Sequence, residues 1–91
     1  MRWLPCQCCG FRTITTSFDI CRICRWEDDP AQTKDPDDPY GANQVSLRQA
    51  QKNFVEFGAC ARIYLPDATR PLDGEERDPD WKPLDADRSR D

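Results

Sequence analysis

Two short cysteine motifs near the start of the chain decide the fold, Cys6-Gln7-Cys8-Cys9-Gly10 and Cys21-Arg22-Ile23-Cys24. Each contains a C-x2-C pair, and eleven residues separate Cys9 from Cys21. Two residues between ligands form a tight turn, and two such turns complete a tetrahedron of thiolates around Zn²⁺. Gly10 favours the first turn, because the residue after the second ligand often needs a positive φ. The spacing therefore predicts one structural zinc ion per chain, held by Cys6, Cys9, Cys21 and Cys24.

The spacing leaves alternatives open at this site. Cys8 lies beside Cys9 and is a possible substitute ligand. Thiolates alone do not determine the metal, so an iron–sulfur cluster, buried free thiols or a redox pair remain alternatives. Four thiolates leave no open coordination position, which disfavours zinc hydrolysis chemistry. The chain has no histidine, so it contains neither a Cys-His pair nor a Ser-His-Asp triad, and we expect no enzyme.

The composition explains why a metal is needed. The chain has 91 residues, enough for one small domain, and only 37% of them are hydrophobic while 33% are charged. A structural zinc site contributes on the order of 10 kcal/mol to folding in such small domains. Residues 1–5 lack the apolar region of a signal peptide, and no apolar run is long enough for a membrane helix. We therefore expect a cytoplasmic protein, a compartment in which disulfides are rare.

Local patterns predict a small metal-stapled α+β fold: a zinc-ribbon-like β-hairpin with one amphipathic helix and an irregular C-terminal tail. The stretches 11–16 and 18–20 are rich in β-branched and aromatic residues, which predicts a hairpin between the two cysteine pairs. Ser46 followed by Gln49 is a capping box, and the apolar spacing after it predicts a helix over 47–57.

The remaining segments are assigned by composition. Gly58 is the expected left-handed end of the helix, and residues 61–65 predict one more strand. We expect residues 1–66 to form a single zinc-ribbon-like domain. Residues 67–91 form a Pro/Asp/Arg-rich tail, partly docked through Trp81 and frayed beyond Leu84.

Negative charge is concentrated in residues 26–44, which hold six acids and one lysine within a chain of net charge −4. This stretch has no periodicity and predicts a long loop, which is either simply solvated or an acidic surface for a partner. Trp26 is either a cover for the metal site or an exposed recognition residue. The candidate partner contacts are Trp26, Glu27, Asp28, Asp29, Asp35, Asp37 and Asp38.

Five segments carry a resemblance: 6–10, 18–29, 46–50, 53–60 and 78–84. Together they resemble the cysteine-rich CPCC family of small bacterial proteins. That family's pattern runs CPCCG, ICPVCxWEDD, SLxxAxxNFxxFGAC and then DPxWKPL. Gln7 and Arg22 stand where the pattern has prolines, which keeps the ligand spacing but loosens both turns. The resemblance implies the same fold and metal site and adds little about activity.

The sequence predicts a non-catalytic zinc protein that acts as a protein-binding adaptor, or as a regulatory or immunity-type inhibitor of a basic protein. We expect a protein partner and no membrane. A thiol redox sensor built on Cys8 and Cys60 is one alternative, although Cys60 also suits simple packing. The other is a nucleic-acid-binding zinc ribbon, which would use Arg2, Arg12, Arg22 and Arg25, with Trp3 or Phe11 for stacking.

Overall fold

The computed structural model describes residues 2–85. Along this range lie strands β1 (Leu4–Pro5) and β2 (Arg12–Ile14), helices α1 (Pro30–Lys34) and α2 (Leu47–Phe57), and a 3₁₀ helix over Arg62–Asp67. The two strands form an antiparallel hairpin. With the short helices and a cluster of four cysteines, this is the small metal-binding α+β fold that the sequence predicts.

The hairpin encloses the first cysteine motif. The prediction that the hairpin lies between the two cysteine pairs is therefore wrong. β1 pairs with β2 in the register Leu4↔Ile14 and Pro5↔Arg12. Residues 18–20 form no strand, because the Asp19 carboxylate accepts hydrogen bonds from the backbone N–H groups of Thr15 and Thr16. Such a side-chain turn competes with strand pairing. Only a single bridge remains there, between residues 20 and 27.

Helix α2 begins at Leu47 and ends at Phe57, as predicted. The Ser46 hydroxyl accepts from the Gln49 N–H at 3.1 Å, while the Gln49 side chain turns away to donate to Asn53. Gly58 ends the helix in the left-handed region with φ 90°. Of the two hydrogen bonds of the predicted capping box, only the one accepted by the Ser46 hydroxyl therefore forms. The helix packs on the cysteine cluster through buried Leu47 and Ala50 and half-buried Phe54.

The strand predicted over residues 61–65 is wrong, because the chain forms the 3₁₀ helix there. Its first turn is closed by the Tyr64 N–H, which donates to the Ala61 carbonyl at 3.0 Å. Pro66 lies inside this helix and has no N–H to offer a sheet ladder. Ile63 is 74% exposed, so the apolar run that suggested a strand lies on the surface.

The acidic stretch is an ordered segment and not a simple loop. Asp29 caps α1 by accepting from the Ala31 N–H at 2.9 Å, and Pro30 occupies the first turn, where its missing N–H costs nothing. Gln32 is fully buried, and its side-chain amide donates to the backbone carbonyls of Asp38, Asn43 and Val45. Asn43 donates to the Gln32 amide oxygen at 2.9 Å. These two buried amides fix the shape of the segment.

The core surrounds the cysteines. Its largest fully buried side chains outside the cysteines are Trp26, Ile14, Ile23, Leu47 and Gln32. All six cysteines are buried thiols and none is disulfide-bonded. Within residues 2–85, no helix combines the length and the apolar character needed to cross a bilayer.

Candidate metal centre

The four cysteines predicted as ligands converge on one point. The sulfurs of Cys6, Cys9, Cys21 and Cys24 all lie within 4.8 Å of one another, and all four residues are 0% exposed. The Cys6 and Cys24 sulfurs are 3.5 Å apart, and those of Cys9 and Cys21 are 3.7 Å apart. A tetrahedral ion with metal–sulfur bonds of about 2.3 Å places its sulfurs about 3.8 Å apart. The donor set therefore fits a single tetrahedral metal ion.

The two C-x2-C turns have nearly the same backbone geometry. The Gly10 N–H donates to the Cys6 carbonyl at 2.7 Å, and the Arg25 N–H donates to the Cys21 carbonyl at 2.9 Å. Gly10 has φ 84°, as predicted, and Arg25 has φ 73°. The second turn therefore places an arginine in a conformation that favours glycine.

The similarity between the two C-x2-C turns extends to the residues on either side of each turn. The Cys6 N–H donates to the Phe11 carbonyl at 2.8 Å, and the Cys21 N–H donates to the Trp26 carbonyl at 2.9 Å. Phe11 and Trp26, which follow the two positive-φ residues, are both buried. The site is thus assembled from two similar units, each made of a C-x2-C turn, a positive-φ residue and a buried aromatic ring.

Trp26 is fully buried, so its assignment as a partner contact is wrong, and it covers the cysteine cluster instead. The indole Nε1 has no hydrogen-bond partner among the described residues. The ring therefore acts as packing, which keeps water from the ligands on that side.

Hydrogen bonds among the sulfurs separate the pKa values of the ligand thiols. The contact with Cys24 lowers the pKa of Cys21 far below its usual range, while the contact with Cys21 raises the pKa of both Cys6 and Cys24. The Thr13 hydroxyl also donates to the Cys21 sulfur at 3.0 Å and lowers the pKa of Cys21 further.

The C-terminal segment covers the carbonyls of the first turn. Turn carbonyls point outward and need donors when they are buried. The Arg77 Nε donates to Cys9 O at 2.8 Å, the Asp78 N–H to Gly10 O at 2.8 Å, and the Trp81 Nε1 to Gln7 O at 3.2 Å.

The second turn is covered in the same way. The Thr69 N–H donates to Ile23 O at 3.0 Å, and its hydroxyl donates to Arg22 O at 2.9 Å. The Cys60 N–H donates to Cys24 O at 2.8 Å. The segment that composition suggested was an irregular tail therefore satisfies the backbone of both metal-binding turns.

Trp81 packs so closely on Gly10 that no side chain fits between them. A Cβ atom built on Gly10 would lie 2.4 Å from Cε3 of the Trp81 ring. The Arg77 guanidinium is held among three aromatic rings, with its central carbon 5.1 Å from the Phe11 centroid, 5.8 Å from that of Phe54 and 5.9 Å from that of Trp81. Beyond Leu84, Asp85 forms an ion pair with Arg48. The fraying predicted beyond Leu84 covers residues 85–91, of which 86–91 lie outside the described range.

The sequence model of the cysteine-rich CPCC family matches residues 4–76. The chain belongs to the cysteine-rich CPCC family. A search of the curated proteins found no match. The matched range contains all six cysteines, α2 and the residues that cover the second turn. The four-cysteine site and the family together make this a small metal-binding protein.

The two cysteines left over, Cys8 and Cys60, lie outside the four-sulfur group but are buried in the same core. Burial raises the pKa of Cys60 to about 12, with a smaller contribution from Cys8. At neutral pH Cys60 is therefore a thiol and not a thiolate.

The acidic residues of this CPCC protein are not one continuous surface. Asp29 is buried and accepts from the Ala42 N–H at 2.9 Å, so its assignment as a partner contact is wrong. That backbone hydrogen bond lowers the pKa of Asp29, whereas burial, followed by repulsion from Asp19 and Asp29, raises the pKa of Asp28. Glu27, Asp28 and Asp38 are half-buried, and Asp35 and Asp37 are exposed.

A groove of about 880 Å³ lies beside the hairpin and gathers three of the arginines that suggested nucleic-acid binding. Arg12 pairs with Asp78 at 3.1 Å, and Arg22 pairs with Glu75, which lowers the pKa of Glu75. Charge along the groove is therefore balanced. It is lined by Arg2, Arg12, Arg22, Glu75, Asp78 and Asp80, with exposed Trp3, Leu4 and Ile20.

Sequence reasoning missed the polar residues that organise the site, chiefly Thr13, Gln32 and Arg77. The Asp29-Pro30 pair is a recognisable helix start and could have revealed α1. No local pattern predicts the roles of Thr13, Gln32 and Arg77, because their partners are 6 to 68 residues away along the chain.

Proposed function

We propose that the protein is a non-catalytic structural zinc protein that binds one Zn²⁺ through Cys6, Cys9, Cys21 and Cys24. The observation that carries this proposal is the closed set of four converging, fully buried sulfurs. Zinc supplies charge and tetrahedral coordination without redox chemistry, which suits a site whose role is to hold two turns together. Four thiolates also suit a single iron ion, so the identity of the metal has to be measured directly.

Elemental analysis of the purified protein tests the metal. We expect one zinc per chain, and chelation should unfold the site. Serine substitution at any of the four ligands should abolish soluble expression, while Cys8→Ser should be milder, because Cys8 lies outside the four-sulfur group. A metal-free folded protein, or stoichiometric iron with visible absorbance, would refute the zinc assignment.

Two features support the absence of catalysis. All four ligands are shielded from solvent, so a substrate has no route to the bound ion. The chain also lacks histidine, the commonest general base.

The second part of the proposal is that the folded surface docks a protein partner in the cytoplasm, a compartment in which the six cysteines stay free of disulfide bonds. The acidic segment supports it, because Gln32 and Asn43 hold this segment in shape through buried hydrogen bonds. A preformed surface loses little entropy on binding. Asp35 is exposed and would face a basic partner, whereas the exposed Asp37 already pairs with Arg48 at 2.7 Å.

The docking test compares two charge-reversal proteins. Asp35→Lys should remove binding to proteins captured from the source cell, and Asp67→Lys is the matched control at an exposed acid elsewhere. Equal capture by both variants and the wild type would refute the acidic surface as the contact.

Nucleic-acid binding is less well supported than docking to a protein partner. Arg12 and Arg22 are already paired with acids, and Phe11 is buried and cannot stack on a base. A mobility-shift assay at low salt should detect no submicromolar binding to DNA or RNA.

A redox sensor is also less favoured. Cys8 and Cys60 are both buried, and the raised pKa of Cys60 keeps it protonated and therefore unreactive.

A further inference from the structure

The Thr13 side chain is the hydroxyl closest to the four-sulfur site among the hydrogen bonds of residues 2–85. Its Oγ1 lies 3.0 Å from the Cys21 sulfur, and the residue is only 8% exposed. The same oxygen is 3.4 Å from the Phe11 carbonyl. A hydroxyl has one proton to donate, and a metal-bound thiolate is the charged and nearer acceptor of the two. The proton therefore points at sulfur.

The strand geometry makes this contact possible. Thr13 is the central residue of β2, which follows directly on the first cysteine turn. β2 is held in register by its pairs with Leu4 and Pro5 of β1. The sulfur that Thr13 reaches belongs to the second turn, eight residues further along the chain. The hydroxyl thus ties the strand of one turn to a ligand of the other.

The four sulfurs differ in the hydrogen bonds that they accept. Cys6 and Cys24 contact each other, and Cys9 contacts Cys21. Within residues 2–85, Cys21 alone among the four also accepts a hydrogen bond from a side chain other than cysteine. An outer hydrogen bond of this kind orients a ligand and tunes its electron donation, and its loss typically lowers metal affinity by about 10- to 100-fold.

We infer that Thr13 is a positioning residue whose hydroxyl donates to the Cys21 thiolate of the loaded site and sets how tightly the metal is held. The inference rests on the proposed metal site. The hydrogen bond stabilises the sulfur lone pairs, so the sulfur-to-metal charge-transfer band of a cobalt-loaded protein lies at higher energy than it would without the bond.

The test loads the full chain with Co²⁺ and compares Thr13→Val, Thr13→Ser and the wild type. Valine keeps the shape of threonine without the hydroxyl, whereas serine keeps the hydroxyl. Thr33→Val is a matched control, since the Thr33 hydroxyl donates to a backbone carbonyl of Asp29, which belongs to the acidic segment. We expect Thr13→Val to lower Co²⁺ affinity by about 10-fold and to move the charge-transfer band to longer wavelength. Thr13→Ser and Thr33→Val should leave both quantities close to wild type.

Each outcome has a distinct meaning. An unchanged band and affinity in Thr13→Val would overturn the inference, as would an equal loss in Thr13→Val and Thr13→Ser, which would indicate packing and not the hydroxyl. Absence of Co²⁺ binding by the wild type would refute the proposed metal site itself. Should Thr13→Val fail to fold, proton NMR of the cadmium-loaded wild type decides. The Thr13 hydroxyl proton should exchange slowly with water, and rapid exchange would overturn the inference.

Discussion

Replacement of Gly10 by alanine tests whether the C-terminal segment is part of the metal centre. The added Cβ would lie 2.4 Å from the Trp81 ring, and Gly10 also has φ 84°, where an L side chain is strained. The backbone strain costs about 1–2 kcal/mol. Overpacking against a ring that must shift adds about 1–3 kcal/mol. We therefore expect Gly10→Ala to lower the free energy of unfolding by about 2–5 kcal/mol.

Two controls separate strain from the steric effect of Trp81. Gly58 has φ 90° with nothing within 4 Å of a built Cβ, so Gly58→Ala should cost only the strain, about 1–2 kcal/mol. In a Trp81→Ala background, Gly10→Ala should likewise cost only about 1–2 kcal/mol, because the clash is gone. The coupling between the two positions is then about 1–3 kcal/mol.

Urea unfolding at a fixed excess of zinc measures these differences, since metal binding and folding are linked. Trypsin adds a structural readout, because a displaced segment should be cut sooner after Arg77 in Gly10→Ala than in Gly58→Ala. If Gly10→Ala and Gly58→Ala have equal effects on stability and cleavage, Trp81 does not pack on the first turn as described.

Three further predictions concern Arg25 in the second turn, the buried Gln32 and the buried Cys60. Arg25→Gly should stabilise the protein by up to about 1 kcal/mol in the same urea assay, because glycine adopts φ 73° without strain. Gln32→Leu should destabilise by about 2–4 kcal/mol, measured by thermal unfolding, because it strands the buried carbonyls that the amide serves, and an unchanged melting temperature would contradict this. Native Cys60 should resist alkylation at pH 8 until the protein unfolds, as read by mass spectrometry. Since its folded pKa is about 12 against an ordinary value of 9.0, Cys60 stabilises the fold below about pH 9, and this contribution disappears as the pH rises towards 12.

Local patterns identified the elements whose causes are local. The two C-x2-C spacings placed four sulfurs together, and Ser46 and Gly58 marked both ends of α2. Local sequence patterns gave wrong predictions for the two segments at 18–20 and 61–65. The Asp19 carboxylate binds the backbone N–H groups of Thr15 and Thr16 in a turn just before the predicted strand at 18–20. The segment after α2 forms a 3₁₀ helix that includes Pro66.

The sequence alone therefore determined the metal-binding turns and helix α2, because each depends on residues within a few positions of one another. It also determined the family, whose pattern is a series of such short motifs. Only the tertiary structure decided what surrounds the metal centre. Thr13 reaches a sulfur of the other turn, and Arg77 and Trp81 donate to turn carbonyls 68 and 74 residues away. The physical reason is that buried carbonyls and thiolates must be satisfied, and any donor in the folded chain can satisfy them. Which donor does so depends on how distant segments pack and not on spacing along the sequence.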